Sequence, residues 1–194
     1  MAKENEDAAP TRSARARTQA LETAASLFYA EGVRAVGMEQ IVERSGIAKT
    51  TIYRHFPTKD HLIEAYLEKE DEEFWRQWDD VIAGAAPGRA QLDALCRWIG
   101  DRVVRKNYRG CPQINVAAEF SDRSHPARKV ARRHKTEMHR RLQLICKEIR
   151  GIDDPDLLAM QLSLLFDGAF SSDGRLSGYD APDLLKRAVA RLTG

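Results

Sequence analysis

Two stretches too short to stand alone as helices, Met38 to Arg44 and Lys49 to His55, flank a Ser45-Gly46 break, and no other feature of the chain restricts its fold as much. An isolated helix shorter than about 12 residues is marginal in water, so both stretches must lean on neighbours. Their apolar positions show how: Ile41 and Val42 turn inward from the first, and Ile47, Ile52 and Phe56 turn inward from the second. Two short helices packed across a glycine turn make a helix-turn-helix candidate.

The flanking segments supply the support. Leu21, Ala24, Ala25 and Phe28 recur at helical spacing and predict a helix from Arg12 to Glu31, ended by Gly32. Phe56-Pro57-Thr58 closes the second short helix. Thr58 is a good N-cap for a long helix from Lys59 to Ile82, with Asp60 in its dipole-favoured first turn. Residues 1–10 carry no apolar period, end in Pro10 and read as a disordered tail.

Beyond the loop Gly84 to Gly88 the pattern stays helical. Helices are expected over Arg89 to Lys106 and Pro112 to Phe120. A long basic helix opens at Ser124-His125-Pro126, carries Val130, Met138, Leu142, Ile145 and Ile149 on one side, and closes at Gly151. Asp154-Pro155 is an N-cap followed by proline at the first helical position, and it opens a strongly apolar helix over about Asp156 to Ser171. A polar turn, Ser171 to Asp180, precedes a last amphipathic helix, Asp183 to Leu192. No segment alternates long enough for a sheet. The reading is an all-α chain of about nine helices, with a three-helix head over 11–57 and a helical body over 58–194.

With 43% hydrophobic and 31% charged residues the chain has the composition of a soluble globular protein. No apolar run approaches the roughly 18 residues of a membrane span and the first residues are not signal-like, so a cytoplasmic location without membrane partners is expected. Cys96, Cys111 and Cys146 are odd in number and widely spaced, which fits neither a disulfide framework nor a zinc cluster, and no metal or cofactor is expected. Cys111, between Gly110 and Pro112 at the head of a short helix, reads as a buried apolar thiol or as a thiol of lowered pKa. Charge is unevenly distributed. Arg12, Arg15, Arg17, Arg34, Arg44, Lys49, Arg54 and Lys59 outweigh Glu22, Glu31, Glu39, Glu43 and Asp60 in the head, whereas Glu68, Glu70, Asp71, Glu72 and Glu73 beyond it would repel a phosphate backbone.

In a helix-turn-helix the second short helix enters the major groove, so its outward positions need donors for phosphates and base edges. Lys49, Thr50, Thr51, Tyr53, Arg54 and His55 provide them; Lys49 or Arg54 suits guanine, and a Thr50 or Thr51 methyl suits thymine. The same six residues also read as the polar face of a small helix. Arg12, Arg15 and Arg17 are placed to touch phosphates or a minor groove, or simply to solvate a helix start.

The ordered array Ala24-Ala25-Ser26-Leu27-Phe28, Gly32, Met38-Glu39-Gln40-Ile41, Ser45 through Phe56, and Lys59-Asp60-His61-Leu62 resembles the TetR family of bacterial regulators. The resemblance covers Thr11 to about Glu64. It implies that Tyr53 and His55 serve chiefly the DNA backbone, that Lys49, Thr50, Thr51 and Arg54 lie nearer the bases, and that Lys59 touches phosphate. Two positions depart from the pattern: Gly37 stands where the family often has a capping serine or threonine, and Thr50 where it often has glycine or alanine.

Further along, Gly110-Cys111, Glu119-Phe120, His125-Pro126 and Asp167-Gly168-Ala169 are similar to one broad subgroup. The family implies a ligand-binding and dimerisation body whose last two helices pair with their copies as a four-helix bundle, giving a homodimer on a palindromic double-stranded operator. A small-molecule effector pocket would involve Trp98, Ile114, Phe120, His134, Met138 and Phe166, each of which also reads as ordinary core. The implied function is a ligand-released repressor.

An enzyme is not expected. His134 and His139 lie five apart, about 500 degrees around a helix, so they do not share a face as zinc ligands four apart would. Neither a phosphate-cradling glycine loop nor a nucleophile elbow is present. A helical protein-interaction module without DNA binding is the alternative, and the intact array from Lys49 to His55 counts against it.

Overall fold

The computed structural model describes residues 11–172 and 175–194; the tail expected at 1–10 lies outside the described residues. Among these the chain is all-α, with nine helices: α1 (Arg12–Glu31), α2 (Met38–Ser45), α3 (Lys49–His55), α4 (Lys59–Ala83), α5 (Arg89–Val103), α6 (Pro112–Glu119), α7 (Pro126–Lys147), α8 (Pro155–Phe170) and α9 (Ala181–Thr193). Two compact units divide at Tyr66/Leu67, so α4 contributes its first turns to one unit and the remainder to the other.

The first unit is built on a small core. Ala20, Leu21, Ala24 and Phe28 of α1 meet Ile41 of α2, Ile52 of α3 and Leu62, Ile63 and Tyr66 of α4, with Val33, Val36 and Phe56 filling between. The rings of Phe28 and Tyr66 stand 5.7 Å apart at 55°. Val42 and Ile47, expected inside, are only half-buried, because so few residues enclose only the central row of each short helix. The helix ends are secured unevenly. Thr11 accepts a bond from the Ala14 amide, and Thr58 Oγ1 accepts from the His61 amide at the head of α4. Gly37 starts α2 with no side-chain cap.

The second unit has a larger core in which Phe74 and Trp78 of α4 face α5 (Leu92, Leu95, Ile99), α7 (Met138, Leu142, Ile145), α8 (Leu162, Phe166, Phe170) and α9 (Leu185, Val189). Helices α5 and α9 approach closely at Gly100. A methyl there would fall 2.6 Å from Pro182 Cδ and closer still to the Pro182 nitrogen, so only glycine fits. Asp154 and Asp180 cap α8 and α9 by accepting from the Leu157 and Asp183 amides at 2.9 Å, each with proline in the following turn. Two expected helices run shorter. The chain leaves α5 at Val103 rather than Lys106, and α7 ends at Lys147, where Glu148 and Ile149 bond back only three residues to Ile145 and Cys146 and tighten the last turn before Gly151.

Candidate nucleic-acid interface

The turn between α2 and α3 is held by more than its glycine. Gly46 adopts the left-handed conformation (φ 65°, ψ 12°) and its amide bonds to the Val42 carbonyl at 3.1 Å. Ser45, only 4% exposed, donates from Oγ to the same carbonyl and accepts from the Ile47 amide at 3.2 Å. From α1, Gln19 Nε2 donates to the Ser45 carbonyl at 2.7 Å. The pitch of α3 against α1 is thereby set by directional bonds as well as by Ile52 and Phe56.

On that frame the outward side chains divide into two groups. Arg12 and Ser13 of α1 converge with Thr51 and Arg54 of α3 on one concave groove of about 600 Å³, floored by Ala16, Gly46, Ile47 and Ala48. Lys49 and Thr50 are exposed, and Tyr53 and His55 are half-buried. Lys49 Nζ donates to Glu39 at 2.9 Å and lies 5.9 Å from the Tyr53 ring. This bond with Glu39 raises the ammonium pKa and lowers that of the carboxyl. His55 Nε2 is 3.2 Å from Ser13 Oγ, which ties α3 to α1 a second time. Arg15 is exposed on α1 but does not line the groove, while Arg17 covers the Phe56 ring at 5.2 Å. Lys59 Nζ lies 3.5 Å from the Arg34 carbonyl.

Comparison with known proteins gives these observations a family. Residues 20–66 match the model for bacterial regulatory proteins of the tetR family. A crystal structure of a TetR-family transcriptional regulator from Streptomyces coelicolor superposes with a TM-score of 0.80 at 29% identity, covering 92% of each chain. Over residues 20–66 the chain is thus similar to the tetR family of bacterial regulatory proteins. The HTH-type transcriptional repressor KstR2 of Rhodococcus jostii is 30% identical over 79 residues, 41% of this chain and 39% of its own length. The HTH-type transcriptional activator FasR of Mycolicibacterium smegmatis is 38% identical over 68 residues, 35% of this chain and 28% of its own. The matched stretches thus span about two fifths or less of these relatives.

Outside the segment matched by the TetR-family model lie the six residues expected around an effector pocket. Met138 and Phe166 are core, Trp98 and Ile114 pack against the edge of it, and Phe120 stacks on His125 at 3.8 Å. His134 borders a cavity of about 10 Å³, together with Glu70, Phe74, Arg102, Cys111, Pro112, Gln113 and Phe170. His134 is 1% exposed. Its Nδ1–H donates to Asp71 Oδ1 at 2.7 Å, and that oxygen also accepts from Trp75 Nε1 at 2.9 Å.

Sequence reading overlooked Gln19 and Ser13 in the head, the bonds that Ser45 makes at the turn, and Asp71 and Trp75 around His134. Ser45 carried a signal, as a serine ahead of a turn glycine. His134 carried one too, lying one turn from both Val130 and Met138 on the apolar face of α7.

Proposed function

We propose that this chain is a TetR-family regulator: a cytoplasmic, ligand-responsive repressor that binds palindromic operator DNA as a homodimer. The observation that carries the reading is the groove on which Arg12, Thr51 and Arg54 converge beside exposed Lys49 and Thr50. Cationic and hydroxyl donors there face a single concave surface of the kind a phosphate strand fills, and the short helix that presents them is braced from α1. In this reading Tyr53, His55, Lys59 and Arg15 take backbone phosphates, and Lys49, Thr50, Thr51 and Arg54 lie nearer the base edges.

Dimerisation is supported by what α8 and α9 leave outside. Leu157, Met160 and Leu164 recur along α8 at 54%, 49% and 68% exposure, and Leu184 and Leu192 of α9 are also open. Apolar side chains at helical spacing on two successive helices suit burial against a second copy. An effector seated beside His134 requires a second packing there, since about 10 Å³ is far below the roughly 300 Å³ of a drug-sized pocket. An effector that prefers the opened packing shifts the population between two head spacings, of which one fits successive major grooves. No helix among the described residues is long and apolar enough to cross a membrane, in keeping with action in the cytoplasm.

The test is selection of a duplex from a random library at two salt concentrations, beside a Lys49→Ala, Tyr53→Ala double variant. The reading expects a palindromic site, weaker as salt rises because phosphate contacts release counterions, and lost in the variant. If the library shows no enrichment at either salt and the variant matches the parent, the chain is a helical interaction module instead.

A further inference from the structure

The cavity beside His134 is lined by two polar atoms without hydrogen-bond partners, His134 Nε2 and Gln113 Oε1, on side chains that are 1% and 2% exposed. Gln113 spends its amide nitrogen on the Leu67 carbonyl at 2.9 Å, which leaves its oxygen facing inward as an acceptor. A third buried polar group of the lining is the thiol of Cys111, free and 5% exposed at the N-cap of α6. A carboxylate is acceptor only, so the bond to Asp71 places the proton of neutral His134 on Nδ1 and directs the Nε2 lone pair elsewhere. Asp71, His134 and Cys111 therefore form an acid–imidazole–thiol series, on residues drawn from α4, α7 and the head of α6.

We propose that Cys111 is a site of oxidation by small peroxides, with His134 as its proton partner and Asp71 as the residue that positions His134. Proton transfer from the thiol to His134 Nε2 gives a thiolate beside an imidazolium. The thiolate sulfur attacks one oxygen of the peroxide; the S–O bond forms as the O–O bond breaks, sulfur loses two electrons, and the departing oxygen takes the proton from His134 and leaves as water. The product, Cys111 sulfenic acid beside neutral His134, carries one O–H donor. Both unpartnered atoms, Gln113 Oε1 and His134 Nε2, are acceptors for it.

The size of the cavity selects the reagent. About 10 Å³ holds at most about one water, so hydrogen peroxide, with one oxygen more, enters with a small displacement of the lining, and bulky electrophiles are excluded. Glu70 and Arg102 in the lining are partly exposed, so the space is not sealed by apolar walls alone.

The electrostatics separate this thiol from the other two. Burial by itself pushes Cys111 up, but the adjacent His134 imidazole and the nearby Lys135 charge outweigh it and bring the thiol below its ordinary range. Burial likewise opposes charge on His134, and the bond to Asp71 together with the adjacent Cys111 thiol outweighs it and raises the imidazole. Burial pushes Cys96 up to about 12 and Cys146 up to about 11 with no such partner. The charged groups around the pair are Asp71 and Glu70 of α4, Arg102 of α5 and Lys135 of α7, the last bonded to Asp167 of α8 at 2.5 Å.

The experiment treats the full chain with hydrogen peroxide for increasing times, unfolds it, alkylates the surviving thiols and quantifies the three cysteine peptides by mass spectrometry, from about pH 6 to about pH 9. Cys96 and Cys146 act as references inside the same molecule. Cys111 is expected to be lost at least about tenfold faster than either. His134→Gln should slow it about tenfold at neutral pH and move its pH profile upward, and Asp71→Asn should act in the same direction by less, with thermal unfolding confirming that each variant is folded. Equal loss of the three thiols in the parent overturns the proposal and leaves the cavity as the seat of a water. So does an unmoved Cys111 pH profile in the folded variants. Should His134→Gln not fold, the parent's thiol ratio and Asp71→Asn still decide. None of these readouts involves DNA, so the outcome is independent of the operator-binding reading.

Discussion

The two units differ in what they leave on their surfaces. The first exposes donors: Arg12, Arg15, Lys49, Thr50 and Arg54 are open around a core reduced to one row of apolar residues per short helix. The second exposes carbon. Every large apolar side chain that is open among the described residues lies in it, from Val104 to Leu192, and a buried polar cluster surrounds His134. A surface of donors is solvated when unoccupied and loses little by waiting for a charged partner. A stripe of leucines is costly in water, and the contrast teaches that the second unit is the one built for a permanent neighbour.

That contrast can be broken most directly on α8. A Leu157→Asp, Leu164→Asp variant places four charges in a two-fold interface and should weaken self-association at least about 1,000-fold, read by sedimentation equilibrium, with little loss of helix content. A variant that associates like the parent would remove the basis for calling that stripe an interface. A smaller effect is expected inside the second unit. Gly100→Ala forces a methyl against Pro182 and should cost about 2 kcal/mol in denaturant unfolding, whereas a neutral outcome would mean that α5 and α9 part easily.

In the first unit, Gln19→Ala deletes the brace on the Ser45 carbonyl without touching an outward α3 residue. It should lower operator affinity about tenfold, with about 1 kcal/mol of stability lost, in anisotropy and thermal unfolding measured side by side. Unchanged affinity would show that the exposed donors suffice by themselves.

The smallest effect concerns Glu137. The Arg140 bond holds its carboxyl at about 2, with Arg141 assisting against the opposing effect of burial. A carboxyl depressed in the folded state contributes stability above its unfolded value of about 4.3, and that stability is lost as pH falls toward 2. Glu137→Gln should flatten the acid limb of a stability–pH curve by less than about 1 kcal/mol, since such partly exposed pairs are weak.

The same division explains what could be read from the sequence. The α3 donors are contiguous, and their spacing against Ile52 and Phe56 displays them directly, so the elements of the head were legible together with their outward residues. The Gln19–Ser45 bond was not, because an amide 26 residues away carries no local mark of its acceptor. In the second unit the difficulty is greater: Asp71 and His134 are 63 residues apart, and nothing in either neighbourhood names the other. Periodicity placed Met138 and Phe166 inside correctly, but it cannot distinguish a wall of a cavity from the filling of a core. Of the six residues named for a pocket, His134 lines the cavity beside Cys111. The helix start marked by Asp154-Pro155 was legible, whereas the end closed by three-residue backbone bonds at Lys147 was not.

The bare contact at Gly100 has a mechanical meaning. Where two helices meet through interdigitated side chains, rotamer changes absorb small displacements before either backbone moves; between Gly100 and Pro182 there is almost nothing to absorb them. Helix α5 also carries Arg102, in the cavity lining, two residues beyond this stiff joint, and α9 carries the open Leu184 two residues beyond Pro182. A push on α5 from the cavity side is therefore passed to the outer face of the molecule with little slack, as through a rigid linkage rather than a spring.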